Sequence, residues 1–149
     1  MSQNERGRLL PATEDRLDYI RRLLEEQDLP TDDIEAQQDS LFVYTVDSTQ
    51  VGVGGLECYE SVALLRSVAI ESSKQGEGYG HSLCHQLFEQ AATSSVTELY
   101  LLTTTADEFF ADLGFREIQR EDTPSAIQQT AEFQDLCPTA ATCMLKQLP

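Results

Sequence analysis

The stretch Val68-Ala69-Ile70-Glu71-Ser72-Ser73-Lys74-Gln75-Gly76-Glu77-Gly78-Tyr79-Gly80-His81 decides the fold. It begins as the end of an apolar run, Val62–Ile70, and turns through a polar, glycine-rich segment. It then enters a span from Gly78 to about Ala92 in which Leu83, Leu87, Phe88 and Ala91 recur at helical spacing. In such a strand–loop–helix, main-chain N–H groups can wrap an anion, and the helix N-terminus adds partial positive charge. A pyrophosphate suits the arrangement, with Lys74 the only full cation close by in sequence. A glycine-rich turn with no ligand would show the same spacing, so the surrounding elements must decide.

Upstream lie two more runs of strand character, Leu41–Val46 and Gln50–Tyr59. Asp47-Ser48-Thr49 and Glu60-Ser61 separate the three runs as turns, which predicts an antiparallel meander ending in the decisive strand. Gly52, Gly54 and Gly55 weaken the middle strand and mark a place where another backbone or a ligand comes close. Before the meander, Arg8–Leu10 reads as extended. Thr13 is placed to cap a helix carrying Leu17, Ile20, Leu23 and Leu24, which ends by Leu29–Pro30 because a residue before proline avoids the helical region. Asp32–Gln37 reads as a second short helix.

Downstream, Glu98–Thr104 is expected to be a buried strand. Ala106–Leu113 is a short helix with Gly114 at its left-handed end, and Phe115–Ile118 is extended. Pro124–Gln129 follows as a short helix and Thr142–Leu148 as a last strand. The order predicts one α/β domain over 1–149, with a mixed, mostly antiparallel sheet of six to seven strands and flanking helices.

Composition narrows the function classes. The 149 residues carry 26 acidic and 10 basic side chains, a net charge of −16, and only Lys74 and Lys146 are lysines. That surface repels phosphate backbones and anionic lipids, which argues against general nucleic-acid or membrane binding. Its acid-rich, lysine-poor balance resembles that of proteins from salt-loving cells, where short screening lengths relieve self-repulsion. No run approaches the ~20 apolar residues of a membrane helix. The first twenty residues lack the apolar segment of a signal peptide, so a cytoplasmic protein is expected. Cys58, Cys84, Cys137 and Cys143 include no C-x-x-C spacing and read as reduced thiols.

The pattern Gln75-x-x-Gly78-x-Gly80, after an apolar strand and before an amphipathic helix, resembles the coenzyme A loop of the GCN5-related N-acetyltransferases. The order of elements and the late Gly114-Phe115 pair are similar to that superfamily as well. A narrower resemblance runs through Gly55-Leu56-Glu57-x-Tyr59, Ala63-Leu64-Leu65-Arg66-Ser67, Glu98–Ala106, Phe109-Phe110-x-x-Leu113-Gly114-Phe115 and Phe133-x-x-Leu136-Cys137-Pro138. These motifs resemble the arsenic-resistance N-acetyltransferases, whose relatives act on glutamate-like antibiotics such as arsinothricin and phosphinothricin.

The resemblance implies a fold, a co-substrate and roles. Acetyl-CoA would be the co-substrate, with no metal. Val68, Ala69 and Ile70 would pair with the pantetheine arm, and a backbone N–H near Val68 would hold the oxyanion of the thioester. Gln75, Gly76, Glu77, Gly78, Tyr79, Gly80 and His81 would cradle the pyrophosphate, and Thr104 and Thr105 would border the thioester arm. Phe110 stands where the superfamily often has a tyrosine that protonates the leaving thiolate. A phenyl ring donates no proton, so Tyr59 or Tyr100 takes that role or the thiolate leaves unaided.

On the acceptor side, Glu57 is the candidate base for the amine, or else a solvent-facing strand glutamate. Arg66 lies amid the apolar Ala63–Ile70. It is a candidate anchor for a substrate carboxylate, phosphinate or arsonate, or an ion-pair partner of a neighbouring Glu. Tyr59 and Glu57 would share that wall. His81 and His85, one helical turn apart around Cys84, lack a third metal ligand, and Cys137 with Cys143 could take trivalent arsenic but read more simply as packing residues.

The expected activity is direct acetyl transfer from acetyl-CoA to the amine of a small acceptor, an anionic amino-acid analogue foremost, in a chain that could form a homodimer. The competing reading is a non-catalytic acyl-CoA-binding or arsenic-sensing module.

Overall fold

The computed structural model describes residues 7–136 and 141–149. Its elements are β1 (Gly7–Pro11), α1 (Leu17–Glu26), β2 (Leu41–Val46), β3 (Thr49–Tyr59), β4 (Val62–Ile70), α2 (Tyr79–Thr93), β5 (Glu98–Thr103), α3 (Asp107–Asp112), β6 (Arg116–Ile118), α4 (Ser125–Gln128) and β7 (Thr142–Gln147). The strands form one seven-stranded sheet in the order β1-β2-β3-β4-β5-β7-β6. All neighbours are antiparallel except β4 and β5. The expected α/β architecture and meander are therefore present.

The alternation of each strand sorts side chains onto two faces. On one, α2 lays Leu83, Cys84, Leu87 and Ala91 against Val51, Leu56, Ala63, Leu65 and Leu99. On the other, α1 buries Ile20, Leu23 and Leu24 with Ile34, Leu41, Val43 and Val53. Each large side chain so buried stabilises the fold by roughly 1.5–3 kcal/mol. A smaller cluster, Leu64, Tyr100, Ile127 and Leu145, seats α4 beside α1's face.

Two details of β3 and β4 position the site. Val53 pairs with Ala69 but Gly55 pairs with Arg66, so β4 carries one extra residue there. Ser67 occupies it with φ of 57°. The bulge exchanges the faces of everything after it: Ala63 and Leu65 face α2 before it, Ile70 faces α2 after it, and Ala69 turns toward α1. Across from it, a Cβ on Gly55 would sit 3.0 Å from Arg66 Cγ and 2.9 Å from a Leu41 methyl, so only glycine lets the arginine stem lie flat on β3.

Some boundaries differ from those read in the sequence. α1 stops at Glu26 rather than near Leu29, because Asp28 takes a left-handed φ of 59° and the Leu29 N–H returns to the Leu24 carbonyl at 2.9 Å. Asp32–Gln37 is a series of turns rather than a helix, with a single helix-type bond from the Gln37 N–H to the Asp33 carbonyl. Thr13 does not cap with its side chain; its hydroxyl donates to the Asp15 carboxylate instead.

Candidate active site

The parallel ladder between β4 and β5 covers only Val62–Leu64 against Glu98–Tyr100. Beyond it the strands part. A cavity of about 500 Å³ fills the gap, bordered by Leu65–Val68 of β4, Leu101–Ala106 at the end of β5, Phe110 of α3, the Gln27–Pro30 turn, Glu132 and Ala141. Of the sequence-predicted residues, Arg66, Val68, Thr104 and Thr105 thus meet at one opening. Ala69 and Ile70 are buried further along β4, packed into the two cores.

The glycine loop lies at the far end of β4. Ser72–Lys74 makes one tight turn, Gly76 and Gly78 take φ of 83° and 85°, and Gly78 begins α2. A Cβ on Gly78 would meet nothing within 4 Å, so the glycine is required by its left-handed backbone and not by crowding. Among the described residues, no hydrogen bond consumes the amides of Gly76, Glu77, Gly78, Tyr79, Gly80 and His81. Unused donors at a helix N-terminus are what an anion requires. Close packing steadies the cradle: a Cβ on Gly80 would come within 3.1 Å of the Phe109 ring. The side-chain amides of Gln75 and Gln27 both donate to the Ile70 carbonyl, at 3.1 and 2.5 Å, fixing the point where strand becomes loop. His81 is exposed and rests edge-on against Phe109, and His85 rests against Phe88.

Arg66 is the electrostatic centre of the cavity wall. Its side chain is fully buried. Nη1 and Nη2 donate to the two Asp33 oxygens at 2.5 and 2.6 Å, Nη1 also reaches Glu57 at 2.7 Å, and Nε donates to the Ser67 hydroxyl at 3.0 Å. Glu132 lies 3.5 Å from Nη2. Burial works against this charge, but Asp33, Glu132 and Glu57 outweigh it and hold the guanidinium above the ordinary arginine range. In this state Arg66 is engaged by carboxylates of the chain itself. Glu57 does not border the cavity; its second oxygen accepts the Tyr59 hydroxyl at 2.5 Å. Burial and that bond to Glu57 push the Tyr59 phenol well up.

Tyr100 is also outside the cavity. Its ring belongs to the small cluster under α4, and its hydroxyl donates to Glu98 at 3.0 Å. Burial, then that bond, pushes it up to about 12. Phe110 does border the cavity, edge-on against Phe109 and Phe115. Cys143 is buried on β7 with its thiol pushed up to about 11 by burial, while Cys137, its suggested partner for arsenic, lies outside the described residues.

Asp33 and Glu132 were not singled out in the sequence. The signal was indirect: a buried arginine demands buried carboxylates, but nothing local says which.

A family model described as an acetyltransferase (GNAT) domain matches residues 37–117. An amino-acid acetyltransferase of Aeromonas salmonicida (strain A449) is 28% identical over 123 residues, covering 79% of this chain and 28% of that protein. An amino-acid acetyltransferase of Mycobacterium tuberculosis (strain ATCC 25618 / H37Rv) is 35% identical over 89 residues, 58% of this chain and 47% of that protein. The chain therefore spans less than half the length of either curated relative. Among solved structures, a Mycobacterium tuberculosis protein in complex with CoA superposes with a TM-score of 0.80 at 22% identity, over 95% of this chain and 99% of that one. That likeness is one of fold.

Proposed function

The chain belongs to the GNAT acetyltransferase family, and from that premise we propose that it transfers the acetyl group of acetyl-CoA to the amine of a small, amino-acid-type acceptor. The observation that carries this reading is the parting of β4 and β5 into a cavity beside the middle of β4, with a loop of unused amides following the strand's C-terminal end. The distance between them is bridged by Val68–Ile70, which gives an extended pantetheine arm a strand to lie along.

In this reading the amides of Gly76–His81 hold the pyrophosphate, and the thioester lies in the gap between Val68 and Thr104–Thr105. The Val68 N–H, just past the left-handed Ser67, holds the oxyanion as the amine attacks. The C–S bond breaks, and CoA leaves as a thiolate of pKa about 8.5, stable enough near neutrality to go without an acid. The amino-acid acetyltransferase relatives support an amino-acid-type acceptor. The narrower choice of an arsinothricin-like acceptor is supported by the motif resemblance, and work in concentrated salt by the net charge of −16.

One observation favours a second reading. Among the described residues the cavity is bordered by Phe110 and by no tyrosine, which suits a module that binds acyl-CoA without turning it over. Following free thiol release from acetyl-CoA against a panel of amines separates the two. Amine-dependent release supports the enzyme; CoA binding with no release for any amine supports the module.

A further inference from the structure

Arg120 stands where the chain leaves β6 for a tight turn, Arg120–Asp122. Its backbone is fixed there: the Thr123 hydroxyl and N–H both donate to the Arg120 carbonyl, at 2.7 and 3.2 Å. The guanidinium lies over the Phe133 ring, 5.6 Å from its centre. Nε and Nη2 are shielded from solvent, and among the described residues neither meets a hydrogen-bond acceptor. The N–H bonds of these two nitrogens point the same way along one edge of the planar guanidinium, the edge that a carboxylate spans with both oxygens. Dry, unpaired donors of a charged group destabilise a fold, and an acid group that takes both removes that penalty.

That edge lies on the acceptor side of the cavity. Leu102 borders the cavity and pairs directly with Cys143 of β7, which pairs in turn with Ile118 of β6. Paired residues share a face, so the three make a row across the sheet. Arg120 follows Ile118 by two residues, with Gln119 extended between them, and so leaves the backbone on the same face. Burial raises the Cys143 thiol and the Arg120 charge draws it part way back, which fits their places in this row. Phe133, beneath the guanidinium, follows Glu132 at the cavity border. Arg66, the arginine in the cavity wall, is already held by Asp33, Glu57 and Glu132.

We propose that Arg120 binds a second acid group on the acceptor, side-on through Nε and Nη2, while the acceptor's amine lies at the thioester. This rests on the acetyltransferase reading above and deepens it by naming the substrate class, an amino acid with an acidic side chain, and the residue that selects it. The α-carboxylate of such an acceptor stays beside its amine. Only the distal acid reaches across β7, a step of about 5 Å per strand, toward Arg120.

The test follows thiol release from acetyl-CoA with two matched pairs of acceptors, L-glutamate with L-glutamine and L-aspartate with L-asparagine. Wild type, Arg120→Gln and Arg120→Lys are compared. Wild type should prefer at least one acid over its amide by roughly 10–100-fold in kcat/KM, as hydrogen bonds to a charged group allow. Arg120→Gln should erase that preference while the kcat/KM for the amide and the acetyl-CoA KM stay as in wild type. An arginine with a merely structural role would lower acid and amide alike. Arg120→Lys keeps a charge without the fork and should retain only part of the preference, which decides the matter if the glutamine variant does not fold. A folded variant with the full wild-type preference overturns the role of Arg120 and leaves the acetyltransferase reading standing. So does a wild type that acetylates amines without preferring either acid. A folded wild type that releases no thiol with any amine overturns both.

Discussion

Arg66 and Asp33, separated by 33 residues in sequence, meet as a two-pronged pair with Nη1 and Nη2 2.5 and 2.6 Å from the two carboxylate oxygens. The pair ties the turns after α1 to β4 and so closes one side of the cavity. Glu57 and Glu132 depend on the same guanidinium, so removing it leaves buried charges uncompensated. Arg66→Ala should cost about 3–5 kcal/mol of stability. Urea unfolding checks this; a loss under 1 kcal/mol would show that the carboxylates do not depend on Arg66.

Gly78 combines a left-handed backbone with open space where a side chain would project. Gly78→Asp should raise the acetyl-CoA KM at least about 10-fold, because it adds backbone strain and an anion beside the site for another. Gly78→Asn carries similar strain without the charge and should fall between. Unchanged KM values in both variants would remove the loop from cofactor binding.

Tyr100 is buried away from the cavity with its hydroxyl on Glu98. Tyr100→Phe should therefore leave kcat within about 2-fold, since the leaving thiolate near pH 8 needs no acid. A drop of about 100-fold, the usual worth of a general acid, would place the phenol in the reaction after all.

Burial pushes the Cys84 thiol up to about 12 and the Cys143 thiol up to about 11. An unfolded chain ionises these thiols near pH 8.5 while the folded chain keeps them protonated. Their contribution is therefore intact below that pH and is lost as pH rises toward 11–12. Urea midpoints should fall steadily between pH 8 and 10.5, and fall less in Cys143→Ala, measured relative to its own value at pH 7. A flat profile would mean that the thiols reach solvent in the folded state.

What the sequence made legible is what local chemistry controls. The meander could be read because Asp47-Ser48 and Glu60-Ser61 punctuate it, and the loop because Gly76 and Gly78 stand where φ is positive. Other left-handed positions were silent because non-glycine residues fill them. Asp28 ends α1 early, and Ser67 makes the bulge that turns Arg66 and Val68 to their faces. The carboxylates of Arg66 were out of reach for another reason: Asp33, Glu57 and Glu132 come from three separate segments, and only the folded sheet chooses them.

Calorimetric titration of CoA into the wild-type chain in 1 M KCl, where screening shortens to ~3 Å, tests the cradle of amides most directly. One molecule should bind per chain with a Kd on the order of micromolar, in the range usual for enzyme substrates. A folded protein that gives no binding heat at any CoA concentration up to the millimolar range would contradict it.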